Sequence, residues 1–327
     1  MVSSYLKVIA LSGFTFAAWA SDADSLLQKL WTHEQLQGDP RELKVEKYKQ
    51  TMKVLPDPPH SETVLPPLDA SSRGSIRSVE LGPGEKVLAL TFDLCESSNE
   101  RAGYDYRIVE ILRQKRIPAT FFAGGQWLKS HEERALQFMA DPLFEVANHA
   151  WTHENLRVLK GEAMELEIQR TQQEYDHLRE HLIDRIKIKD LGTEALTLPG
   201  PMQLFRFPYG ACSSESLEAV NRRGLKAIQW DVVSGDADKH QSPSRIKSLV
   251  QNKVRPGSIV VFHANGRGHG TSEALPTIID HLSREGYRFL KVSDLLKLGR
   301  PQSVDSCYEN RPGDNLRYDR LFRPRNR

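Results

Sequence analysis

The sequence predicts an α/β fold, a distorted (β/α)7-8 barrel with an irregular N-terminal extension and a C-terminal tail. Two observations carry the prediction. Short apolar runs alternate with helix-length amphipathic stretches about seven times beyond residue 79, the spacing that parallel crossovers need. Reactive side chains also stand at the carboxyl ends of successive runs, where parallel barrels open their catalytic rim. An open doubly wound sheet satisfies the first observation equally well; the second favours the barrel.

The elements follow in order. Residues 86–92 form an apolar strand that ends at Asp93, before a helix over 106–116 on which Ile108, Ile111 and Leu112 share a face. Residues 119–122 lead to a helix near 127–139, and 144–147 to a long helix near 162–183. Strands at 204–207, 226–230 and 258–262 precede helices near 214–223, 245–253 and 273–284. The last unit is 287–290 with 292–298. Segment 184–202 fits no unit and reads as an insertion, and 300–327 as an arginine-rich surface tail.

The ends carry other information. Lys7, an apolar run from Val8 to Trp19, and small Ala18 and Ala20 read as a signal peptide over 1–20. The run is too short to span a bilayer, and no later stretch could, so no stable membrane span is expected after cleavage. Export to the periplasm or beyond is the expectation. Residues 21–78 read as an extension and linker, with the barrel over 79–299. The net charge of +2 gives no reason to expect nucleic acid as a partner.

Five groups fall on the expected rim: Asp93, His149, Arg206, Asp231 and His263. His149 and His153, four residues apart after a strand, suit a divalent ion, zinc by first choice. Asp93 can then take a proton from a water that the ion acidifies, and His263 can protonate a departing amine. Arg206, flanked by Phe205 and Phe207, needs a buried carboxylate partner, and Asp93 would serve.

Taken in order, these residues resemble the NodB-type polysaccharide deacetylases, carbohydrate esterase family 4. Thr91-Phe-Asp93 resembles T-F-D-D, His149-Ala-Trp-Thr-His153 resembles H-[ST]-x-x-H, and Arg206-Phe-Pro-Tyr209 resembles R-x-P-[YF]. Trp230 and its surroundings resemble the fourth motif and Val261-Phe-His263 the last. The resemblance implies removal of N-acetyl groups from amino sugars of a glycan. It makes His149 and His153 metal ligands, Asp93 the base oriented by Arg206, and His263 the acid. It also makes the Tyr209 backbone N–H an oxyanion donor, and places the acetyl methyl between Trp230 and Val261.

Departures from the family pattern keep other readings open. Leu94 replaces the usual third ligand, leaving Glu96, Asp93 itself or water to complete the shell. Ala150 replaces a Ser or Thr, Val233 an Asp that tunes the histidine, and Ala237 a Trp. A carbohydrate-binding pseudoenzyme or a deacylase of non-sugar amides are the alternatives. The loop 266–271 reads as a mobile part of the rim. A disulfide between Cys95 and Cys212 is expected, because both follow strand ends that an Asp93–Arg206 pair would bring together.

Overall fold

A computed structural model of the chain describes residues 25–48, 59–60, 63–191 and 198–322; the expected signal peptide lies outside them. Twelve strands are present among these residues: β1 (Glu46–Lys47), β2 (Ser75–Leu81), β3 (Val87–Leu94), β4 (Glu100–Arg101), β5 (Ala119–Ala123), β6 (Phe144–Asn148), β7 (Leu204–Phe205), β8 (Lys226–Ile228), β9 (Val232–Val233), β10 (Ile259–His263), β11 (Arg288–Phe289) and β12 (Gly299–Val304). β3, β5, β6, β7 and β8 are parallel neighbours, and β10 lies on the other side of β3.

Segment 226–233 curls this sheet into a distorted barrel. Its first half, β8, pairs with β7, while its second half, β9, pairs with β10. Two further strands line the barrel's foot. β11 pairs with β3 only at Val87 and Leu88. β2 pairs with β8, and its Val79 N–H donates to the Gly257 carbonyl at 2.9 Å. All seven expected strands and their helices are found. β2 starts before the expected boundary at 79, however, and β12 lies inside the expected tail, pairing antiparallel with β2.

The period of two along each strand sorts side chains between two cores. On β3, Leu88, Leu90, Phe92 and Leu94 join the helix layer, with Phe121 stacked between Phe92 and Phe138 at 5.3 and 4.3 Å. Val87 and Ala89 join Phe122, Ile228, Trp230, Ile259 and Val261 in the barrel interior. Burying an aromatic ring or a large aliphatic side chain in these cores is worth about 1.5–3 kcal/mol. The interior parity continues upward to Asp93 on β3 and His263 on β10, which are register partners.

The expected linker is partly structured. Leu26, Leu27, Leu30 and Trp31 are buried against the helix layer, and Arg134 grips Glu42 at 2.8 Å. No helix among the described residues is long and apolar enough to cross a membrane.

Candidate active site

The rim forms where the interior rows of β3, β6, β7 and β10 end. Arg206, with no exposed surface, donates through Nη1 to Asp93 Oδ1 at 2.7 Å. Its Nε and Nη2 donate to the Ile228 and Gln229 carbonyls, and its guanidinium lies 3.8 Å from the centre of the Phe122 ring. Burial alone would raise the Asp93 pKa. The Arg206 charge, helped by His149 and His263, outweighs it and holds the carboxyl below the usual range.

The turn after β6 carries the two histidines. Glu167 on the helix Gly161–Ile188 accepts from Thr152 N–H and its hydroxyl at 2.8 and 2.5 Å, and Asn148 Oδ1 accepts from Ala150 N–H at 2.9 Å. A Cβ on Gly125 would lie 2.1 Å from the Trp151 ring, so only glycine lets the helix Gly125–Ser130 dock on this turn. Ala150 and His153 hold left-handed φ values of 65° and 57°, and Tyr209 beside them 58°. Three of the five non-glycine residues with positive φ among the described residues thus cluster here, strain of the kind that marks functional sites.

His149 Nδ1 lies 2.9 Å from the Arg206 carbonyl, which can only accept, so Nδ1 bears the hydrogen and Nε2 keeps its lone pair. That Nε2 is buried, has no hydrogen-bond partner, and sits 3.6 Å from Asp93 Oδ2. The His149 and His153 rings are 4.9 Å apart, and Cys95 Sγ completes a set of three donors all within 4.8 Å of one another. Burial lowers the pKa of both histidines, in His153 with the neighbouring His149 and His263 charges adding to it. Three convergent lone-pair donors, one of them orphaned in a buried space, fit a divalent cation.

His263 is built differently. Its Nδ1–H donates to Asp236 Oδ1 at 2.8 Å, and its backbone N–H to Asp236 Oδ2 at the same distance. Thr271 Oγ1 donates to Asp236 Oδ2 at 2.7 Å. Burial would lower the His263 pKa, but the Asp236 carboxylate more than reverses it and the pKa is raised.

Several expectations need correction. Cys95 is a free, buried thiol; Cys212 is bonded to Cys307, with Cα atoms 5.3 Å apart. Cys212 packs with Phe207, Leu217, Val220 and Cys307, whereas Cys95 groups with His149 and His153. Pairing of β12 with β2 brings the chain end back to Cys212. Asp231 is not on the rim: it accepts from Ser258 Oγ and Ile259 N–H at the foot of β10. Glu96 turns away, accepting from Ala102 N–H and Ser130 Oγ, and burial lifts its pKa to about 7. The loop 266–271 is anchored through Arg267 to Glu100 and through Thr271 to Asp236.

Two important residues were not anticipated. Cys95 was legible as the next residue of Asp93's parity. Asp236, not residue 233, supports the histidine, and its place beyond β9, next to β10, was the available signal. Trp230 and Val261 both lie in the interior core, with Trp230 Nε1 donating to the Glu309 carbonyl at 3.1 Å. Tyr209 is walled by Tyr318 and Phe322, ring centres 4.9 and 5.2 Å away.

A parallel barrel that gathers a carboxylate, three histidines and a thiol on one rim suits hydrolytic chemistry, and comparison with known proteins narrows the reading. Residues 81–228 match the polysaccharide deacetylase family. Over those residues the chain is similar to polysaccharide deacetylases, and it spans a little under two thirds of the first such relative. It is 31% identical over 156 residues to a chitooligosaccharide deacetylase of Azorhizobium caulinodans, covering 48% of this chain and 65% of that one. It is 24% identical over 217 residues to a peptidoglycan-N-acetylmuramic acid deacetylase of Bacillus subtilis, covering 65% and 72%. Among solved structures, a family 4 pseudoenzyme from Bacillus anthracis superposes with a TM-score of 0.53 at 26% identity, covering 66% of each chain. The family match stops before Trp230, Asp236 and His263, whose assignment rests on position and geometry.

Proposed function

We propose that this protein is an exported, metal-dependent hydrolase that removes N-acetyl groups from amino sugars of a polysaccharide or peptidoglycan-type glycan. The observation that carries the reading is the pairing of Asp93 with His263 across adjacent strands, the pKa of one lowered and of the other raised, beside the donor cluster. Opposed pKa shifts in neighbouring groups are what a hydrolase needs for a base and an acid. His149 and His153 would hold the ion, which when bound polarises the amide carbonyl and acidifies water.

Asp93, fixed by Arg206, accepts the proton of the attacking water. His263, with Asp236 fixing its Nδ1–H, presents Nε2 to the leaving nitrogen and delivers the proton there. The Tyr209 backbone N–H stands as the oxyanion donor, and Trp230 with Val261 forms an apolar floor that suits an acetyl methyl. The Cys212–Cys307 disulfide supports an oxidising compartment, in line with the N-terminal apolar run.

Leu94 and the likeness to a pseudoenzyme favour a second reading, glycan binding without turnover. Acetate release from chitin oligomers, peptidoglycan and a small N-acetyl amide, with and without added zinc, separates the readings. Zinc-dependent release from a glycan is expected. Glycan binding without release would replace the first reading by the second, and release from the small amide alone would overturn both.

A further inference from the structure

We propose that Cys95 supplies the third protein ligand of the metal, as a thiolate, making a Cys–His–His site in place of one completed by a carboxylate. The proposal rests on the metal-dependent reading above and adds to it the ligand set and the metal class.

The geometry begins with strand parity. Leu94 faces the helix layer and has no exposed surface, so the position after Asp93 cannot reach the rim interior. Cys95 restores Asp93's parity and puts Sγ within 4.8 Å of donor atoms on both His149 and His153. The Asn265 side chain donates to the Cys95 carbonyl at 2.7 Å and fixes the backbone there. His149, only 1% exposed, belongs to this three-residue set, and its Nε2, the nitrogen not bonded to the Arg206 carbonyl, has no hydrogen-bond partner.

The competing ligands are engaged elsewhere. Glu96 accepts from Ala102 and Ser130, on the helix side. One oxygen of Asp93 accepts from Arg206 at 2.7 Å, and spending the other on the ion would blunt it as a base. A buried cysteine often serves merely as a small apolar side chain. The surroundings of Cys95 argue otherwise, because it lies among a carboxylate and two imidazoles. In an oxidising compartment, with the other two cysteines bonded to each other, coordination would also keep this thiol from oxidising.

A thiolate with two imidazoles is a soft set that selects zinc over magnesium, calcium or manganese. Two probes test this on the full chain, zinc in competition with a chromophoric chelator and cobalt(II) as a spectroscopic substitute. The cobalt-loaded wild type is expected to show a thiolate-to-metal charge-transfer band in the near ultraviolet. Cys95→Ser should lose the band and weaken zinc by more than the roughly 10- to 100-fold typical of losing an outer partner. Cys95→Asp should bind metal without the band and favour harder ions, which keeps the test open if the serine variant folds poorly.

Cobalt bound in a manner that needs His149 and His153 but shows no such band would overturn the thiolate ligand alone. Zinc affinity unchanged in Cys95→Ser would do the same. Metal binding that survives loss of both histidines would overturn the underlying metal reading instead.

Discussion

The two sides of the rim solve opposite electrostatic problems. Around His149 and His153, imidazoles are buried with a donor atom left unpartnered, and burial pushes their pKa values down. Around His263, the supporting carboxylate is fully engaged, with Asp236 accepting from the ring, the backbone and Thr271. The first corner can receive a charge from outside the chain, and the second favours a proton that the chain itself stabilises. Since Asp93 and His263 are register partners, the barrel sets the two problems side by side. Arg206 spans them by holding Asp93, and its carbonyl orients His149.

The largest effect should come from breaking the first corner. His149→Ala with His153→Ala is expected to reduce acetate release to background and abolish tight zinc binding. Circular dichroism should remain that of the folded barrel. Full metal occupancy in the double variant would erase the distinction between the corners.

Arg206→Met comes next. It leaves Asp93 charged and buried, which typically costs about 3–5 kcal/mol. Turnover should fall with it, because the proposed base loses both its orientation and the charge that favours its ionised form. Adding Asp93→Asn should restore part of the stability and none of the activity. Chemical denaturation of the two variants checks the coupling, and equal midpoints would deny it.

Asp236→Asn sharpens the comparison through pH. The raised pKa of His263 gives stability that is full below the ordinary histidine value of about 6.5. That stability is lost as pH rises through the raised folded value. The lowered histidines of the metal corner have the opposite sign: without metal they cost stability as pH falls below about 6.5. The variant should therefore lie furthest below wild type in stability at acid pH, with the gap closing as pH rises. Its alkaline limb of activity should shift to lower pH, and turnover should drop by up to about 100-fold. A rate profile superimposable on wild type would remove Asp236 from the acid corner.

The extent to which sequence exposed this arrangement followed the range of the interactions. Strand ends and parity are local, so Asp93, His149, His153, Arg206 and His263 could be placed on one rim from apolar runs alone. Cys95 obeyed the same parity, but the expectation of a disulfide diverted it. Asp231 was misplaced because 226–233 is one continuous segment serving two neighbours, and a crossing of that kind leaves no trace in hydropathy. The chain end was illegible for a similar reason. Its position depends on β12 pairing with β2 at the far end of the domain, and its polar composition resembles any exposed tail.

That chain end frames the smallest effect, and tests whether either corner needs support from outside the barrel. Residues 305–322 form a strap. The disulfide ties Cys307 to Cys212, Asn315 donates to the Tyr209 and Gly210 carbonyls, and Arg157 reaches both Asn315 and Asp319. The Trp230 indole donates to Glu309, so the strap bears on the Tyr209 turn and on Trp230. A crosslink over 95 residues should stabilise the chain by about 2–4 kcal/mol, chiefly by restricting the unfolded state. Cys212→Ser with Cys307→Ser is expected to lower the Tm clearly. Turnover near room temperature should fall only a few-fold, through a higher KM, because in the proposed mechanism Tyr209 and Trp230 contact substrate while Asp93 and His263 keep their partners. Zinc affinity and the pH limbs should be unchanged. A shift in either limb would mean that the strap also sets the charge of the rim, and the two corners would then no longer be self-contained.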